Sequence, residues 1–325
     1  MTVRDDALLD VLARPEAADR LYYAEGVFLD AHDFLQEQGY HRSRLARVAD
    51  YLHGHGTAAG LRVTYDPPTA RDADGFANDR LKVSPGVAVD RTGRLIEVPA
   101  LCCTRLDRWF VRAPSSTAAS DDPDVVFQAA LTAAAVDAPD VPVELGPHVV
   151  ADLYLRFAVC ERGLTPAFAS GPFDATDAVQ PSRLRDGWEL ALFLRPGSAF
   201  VDSSGPTWVP DALLYEDPWE RVRADHGLDM AAWHDAVFDA WHHGTADWGA
   251  DNRLEPGPWM PLEADPTAVF LARVRVPVDL SGGGVPVRRP SSGAVDALPV
   301  AAVVDGTGGR PIVWSTAALR AFLRP

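Results

Sequence analysis

Three groups of side chains in this sequence have types and spacings that could do chemistry. His41, His53 and His55 fall within one short stretch, and imidazole nitrogens bind divalent metals. His53 and His55, however, stand in HGHG, where a histidine at a helix terminus bonds the last carbonyls and complements the dipole. In WHDAVFDAWHHG, Asp235, Asp239 and His242 share a helical face at spacings of four and three, a geometry that holds an ion. That face lies opposite Met230, Val237 and Trp241 and reads as a solvated back, and no HEXXH pattern accompanies it. The third group, in PSRLRDGWEL, sets Arg183, Arg185, Asp186 and Glu189 around Trp188. Guanidinium, carboxylate and a large aromatic together suit a salt-bridge corner or an interface anchor.

Signatures of covalent or phosphate chemistry are missing. No GXSXG elbow occurs, and Cys102, Cys103 and Cys160 sit in no catalytic pattern. An odd cysteine count with two neighbours is no disulfide framework, so reduced and mostly buried thiols are expected. Lys82 is the only lysine and follows Leu81, which excludes a Walker loop. Gly306, Gly308 and Gly309 precede a strand-like run and read as a turn. A non-enzyme without metal or cofactor is the expectation.

The positioning elements start with the stretch from Leu21 to Val63. It reads as a long helix entered from a short strand, N-capped by Asp30 with Asp33 completing an imperfect capping box, and stopped by Gly54 and Gly56. Phe34, Gln38, His41, Leu45, Val48 and Leu52 recur at steps of three or four and define one packed stripe with a solvated back. Ahead of it, residues 4–20 open with a short amphipathic helix. After it, 66–79 is a loop, and a hairpin pairs 81–89 with 94–98 across DRTG, a type I turn with a bulge at Gly93. Residues 101–112 continue as strand. The acidic run 113–124 is a connector, 125–136 and 149–159 are strands, 162–180 is a loop and 188–194 a strand. Met230, Trp233, Val237 and Trp241 mark a helix or helix pair in 211–243. Residues 244–266 are irregular, 269–278 is a strand, SGGG turns, a hairpin joins 300–304 to 311–314, and 316–323 is a helix packing Leu319, Phe322 and Leu323.

The expected fold is therefore α+β and mainly β: a long N-terminal helix, then a β-sandwich-like body with a helical insertion near 211–243. Its organisation is an assembly segment over 1–63, a first β region over 64–112, a linker at 113–124 and a second β-rich region over 125–325. A net charge of −16 repels phosphate backbones, so nucleic acid is excluded as a partner. No apolar run reaches the roughly 18 residues of a bilayer span, and MTVRDDALLD is too acidic for a signal peptide. Cytoplasmic synthesis without membrane insertion is expected.

The run GVFLDAHDFLQEQGYHRSRLARVADYLHGHGTAAGLRV, followed by LKVSPGVAVDRTGRLIEVP, resembles the start of a family of baseplate and tail-fibre-adaptor proteins of contractile injection systems, the phage-tail-like particles of bacteria. Its opening is also similar in kind to the type VI secretion baseplate protein that connects fibre-like domains to the wedge. LYLRFAVCERGLTPAF leading to PSRLRDGWELALFL, and DPTAVFLARVRV followed by Arg288 and Arg289, fit the same resemblance. It implies a structural role by subunit assembly, with other baseplate or fibre subunits and further copies of the chain as partners. The assembly interface would comprise Phe28, Phe34, Gln38, Tyr40, His41, Leu45, Val48 and Leu52. Two other classes stand beside it: a particle-borne effector or cell-wall hydrolase using Asp235, Asp239 and His242, and a cell-surface carbohydrate-binding module using Trp241, Trp248 and Trp259.

Overall fold

Alternating apolar residues in 149–155 and 269–278 build the two central strands of the largest sheet. The computed structural model describes residues 3–4, 20–112, 146–166, 179–194, 218–243, 267–279, 287–294, 296–306 and 310–322. They form a mixed α and β fold in which sheets predominate. The strands are β1 Val3–Arg4, β2 Gly56–Gly60, β3 Val63–Asp66, β4 Arg80–Val83, β5 Gly86–Val89, β6 Leu95–Val98, β7 Cys102–Arg105, β8 His148–Pro166, β9 Val179–Leu194, β10 Val269–Asp279, β11 Val287–Arg288 and β12 Val303–Asp305. The helices are α1 Ala31–His53, α2 Leu106–Arg112, α3 Pro218–His226, α4 Met230–His243 and α5 Thr316–Phe322. The connector 113–124, the strand expected at 125–136, the irregular 244–266 and the SGGG turn lie outside the described residues, as does all of 4–20 but Arg4 and Arg20.

In the six-stranded sheet β8 pairs with β9 on one edge and with β1 and β10 on the other, while β10 also pairs with β11 and β12. A bulge between Phe270 and Ala272 re-phases β10. Val269 and Leu271 face the core before it, and Ala272, Val274, Val276 and Val278 face the same core after it. A single extra residue shifts the parity of every later side chain, so the bulge lets one strand serve one core along its whole length. The other face is covered too: Tyr154, Phe270 and Ala268 form a second small cluster against Phe193, and buried Asp152 accepts from Arg273 directly across the strands at 3.0 Å.

Two three-stranded sheets, β2-β5-β6 and β3-β4-β7, interleave along the chain. The expected continuous strand 81–89 is broken between them. Pro85 cannot donate to a ladder, and the chain turns a corner there, with the Leu61 amide bonding the Pro85 carbonyl and the Ser84 amide bonding that of Arg62. Gly60, at φ 63°, and Gly86 make the corner possible, since a Cβ on either would collide with the facing backbone. Leu61 also has positive φ, at 54°, and is fully buried; burial of its side chain holds a backbone that leucine rarely adopts. The hairpin of β5 and β6 forms across DRTG as expected, with Gly93 at φ 78°.

Other expectations give way to tertiary partners. Residues 106–112 are helical, not strand, because the Leu106 amide bonds the Asp79 carbonyl and Leu106 and Phe110 enter the core. β8 and β9 run into the expected loop 162–180 as a long ribbon. The closing hairpin is absent: β12 adds to β10, and Pro311–Val313 lies against Thr57, whose amide and carbonyl both bond it at 2.9 Å. In α5 Leu319 and Phe322 are exposed, with Phe322 against Trp314; Leu323 lies outside the described residues. The helix pair expected in 211–243 is present as α3 and α4. The loop expected at 66–79 starts one residue later, since Asp66 ends β3, and it is tied down by Asp72, whose Oδ2 accepts from Arg105 and Arg108.

One hydrophobic cluster runs from Leu61 through the small sheets, α2, β8 and β10 to Ala302. Into its margin the chain places a buried ion pair. Arg288 Nη1 donates to Asp79 Oδ2 at 2.6 Å, and more distantly to Asp107 at 3.4 Å. The Tyr65 hydroxyl donates to the same Asp79 oxygen at 2.9 Å. Burial first, and then the Asp79 charge, push the Tyr65 phenol up to about 12. Removing one partner of a buried pair leaves the other charge uncompensated. We therefore expect Arg288→Met to cost about 3–5 kcal/mol, read as a lowered midpoint in urea unfolding; a change under about 0.5 kcal/mol would show the pair to be dispensable.

Candidate functional site

α1 is fixed locally at both ends. The Asp30 carboxylate accepts from the amides of His32 and Asp33 at 2.8 and 3.1 Å, and Asp33 accepts in return from the Asp30 amide at 2.8 Å. Both halves of the capping box are thus present. At the other end the Gly54 amide bonds the Asp50 carbonyl, with Gly54 at φ 70°. The short strand expected before the helix is not formed; residues 21–30 hold a turn at Glu25–Gly26 and pair with no strand among the described residues. Tyr23 reaches across this arm to Glu37, its hydroxyl donating at 2.5 Å, and that bond raises the Tyr23 phenol.

The helix meets the body at a small residue, Ala46. Gly39 and Ala46, two turns apart, are its buried positions. Ala46 sits against the DRTG turn so closely that a Cβ on Gly93 would strike its carbonyl. The turn is itself anchored: Asp90 is fully buried and accepts from the Thr92 amide and hydroxyl and from the Arg94 amide and Nε. Arg94 also donates to Thr267 at 2.7 Å and stacks over Phe157 at 4.7 Å, joining the turn to the large sheet.

The expected packed stripe is open. Phe34, Leu45, Val48 and Leu52 are 49%, 71%, 52% and 70% exposed, and Gln38 and His41 between them are exposed as well. The seat at Ala46 lies roughly a third of a turn around the helix from the stripe, so the body that holds α1 does not cover it. Phe28, 98% exposed, Tyr22, Tyr23, Val27, Leu35 and Tyr51 widen the apolar surface. Tyr40 is half-buried under the Arg44 guanidinium at 5.4 Å. Large apolar side chains gathered on one exposed face mark an interaction surface.

The remaining groups do not converge. Among the described residues no three His, Cys, Asp or Glu side chains come together as a metal site. His53 is exposed in the last turn of α1, and His55 lies beyond it, its imidazole lowered to about 4 by burial and then by Arg91. Asp235 is exposed on α4; the side chains of Asp239, Trp241 and His242 lie outside the described residues, as do Trp248 and Trp259. Met230 and Val237, expected to be covered, are exposed. Arg183, Arg185, Asp186, Trp188 and Glu189 make no corner, because they follow one another along the extended β9. Glu189 pairs across the ribbon with Arg156 at 2.6 Å, Trp188 packs against the core, and the other three are exposed. Cys160 is buried and Cys102 half-buried as free thiols, while Cys103 is exposed, contrary to expectation, because it lies on the outer face of β7.

Sequence reasoning missed the seat and the arm. Gly39 inside an otherwise regular helix was the available signal, since a mid-helix glycine commonly marks close packing. No protein-family model matches the chain, and no curated protein matches it.

Gly93→Ala should cost at least about 1 kcal/mol by forcing alanine into positive φ while pushing Ala46 away, whereas Leu45→Ser should change the stability of the isolated chain by about 0.5 kcal/mol or less; paired urea curves separate them. The His55 imidazole titrates near 6.5 when unfolded and about 4 when folded, so the unfolded chain binds the extra proton between those values. Stability should fall as pH drops from about 6.5 to about 4, and His55→Gln should flatten that slope; an unchanged slope would assign it to other groups.

Proposed function

We propose that this chain is a non-enzymatic structural component of a contractile injection particle, placed at the baseplate or fibre attachment point and acting by subunit assembly. The observation that carries the reading is the open apolar face of α1 on a helix that its own body meets at Ala46, about a third of a turn away from that face. A helix that touches its body at one small residue and is uncovered on its apolar side presents that side to a partner helix. The resemblance of 26–63 and 81–99 to baseplate and fibre-adaptor proteins supplies the setting. In this reading the sandwich-like body connects to neighbouring wedge or fibre subunits, with the β8–β9 ribbon as a projecting arm. No helix among the described residues is long and apolar enough to cross a membrane.

Tagged in its native host, the chain should sediment with sheath and tube proteins, its label at one tip of the particle by electron microscopy. A variant carrying Phe34→Ser, Leu45→Ser and Leu52→Ser should keep its circular dichroism and move to the light fractions. Particles that form normally without the chain, while it stays in the light fractions, would overturn the reading.

A further inference from the structure

We infer that α1 pairs in parallel and in register with α1 of a second copy of this chain. The inference rests on the assembly reading above in taking the open face as an interface, and it names the occupant. Phe34, Gln38, His41, Leu45, Val48 and Leu52 are separated by steps of four, three, four, three and four. That alternation is the seam of a left-handed coiled coil, in which slight under-winding keeps every seam residue toward the partner. All six are exposed, and the buried positions Gly39 and Ala46, the latter against the DRTG turn, lie off the seam. A second helix can therefore approach along the stripe without displacing the contact at Ala46.

The flanking charges choose the direction. Leu35, Arg42 and Ala49 line one side of the seam, and Glu37, Arg44 and Tyr51 the other. In a parallel, in-register pair each residue of the second set faces the first-set residue five positions on in the partner. Glu37 then meets Arg42 of the second copy, twice by symmetry. An antiparallel pair that closes Phe34 on Leu52, Gln38 on Val48 and His41 on Leu45 covers the same apolar residues. It also sets Arg42 against Arg42 and Arg44 against Arg44, and like charges so placed oppose association. The polar layer agrees. In parallel, Gln38 faces Gln38 and two amides satisfy one another; in antiparallel each amide faces Val48 and loses its partners. His41, facing His41 in the parallel pair, adds a second polar layer beside it, and polar residues within a seam help to fix its register.

The test uses the full chain with Cys103→Ser, which removes the exposed thiol. In sedimentation velocity across a concentration series, the parent should pass from one copy to two, and Leu45→Glu should remain single with unchanged circular dichroism. Glu37→Arg should weaken pairing about ten-fold or more, and adding Arg42→Glu should restore it. The swap does not restore the lost Tyr23 contact, so recovery reports on the seam alone. Under mild oxidation Gln38→Cys should give a disulfide-linked pair. A parent that stays single at the highest concentrations overturns the inference, as does a chain in which Gln38→Cys cross-links only to Val48→Cys in a mixture. Cross-linking of Gln38→Cys only to a different protein within isolated particles overturns self-pairing and leaves the particle reading standing. Self-linked pairs found outside any particle do the reverse.

Discussion

Asp90 accepts four hydrogen bonds through a carboxylate that water does not reach, and Arg94 provides both a backbone and a side-chain donor among them. A buried charge is tolerable only when its lone pairs are taken up in this way. The cost of leaving any of them open is what makes the turn rigid. That rigidity reaches in three directions. It shapes the hairpin of β5 and β6, it supports α1 through Gly93 and Ala46, and through Arg94 it engages Phe157 of the large sheet and Thr267 just ahead of β10. The direction in which the open face of α1 points is set by this turn.

The parts legible in the sequence are those governed by near neighbours. Asp30, Asp33 and Gly54 mark the ends of α1 because capping is a contact within one turn. DRTG marks its turn because an aspartate and a glycine at fixed offsets select that geometry. The helix pair near 211–243 shows in its period. Legibility ends where a second surface decides the outcome. Helical spacing reveals that Phe34, Leu45, Val48 and Leu52 share a face, and it carries no information about what covers that face. The stripe was expected to be packed, and within one chain it is open.

The misread strands fail for the same reason. Alternation runs unbroken from Leu81 to Val89, yet the two halves join different sheets, because Pro85 and the facing glycines make a corner that only the opposite strand can require. Val300–Val304 and Pro311–Trp314 look like a hairpin because they are adjacent. β10 and Thr57 each offer a free edge to one of them, and edge satisfaction outweighs proximity. Arg288 was visible as one of a pair of arginines; its partner Asp79 lay in what read as an ordinary loop.

That partnership also constrains how the chain can be made. Asp79 and Arg288 are separated by 209 positions, and Arg310 and Thr57 by 253. During synthesis the small sheets emerge from the ribosome long before the guanidiniums that complete them. Asp79 has then no counter-ion, and β2 has a bare edge where Pro311–Val313 will later lie. Contacts this distant slow folding and lengthen the interval in which unpaired edges are offered to other chains. The nascent chain's early exit is thus a waiting state, closed only by residues translated 209 and 253 positions later.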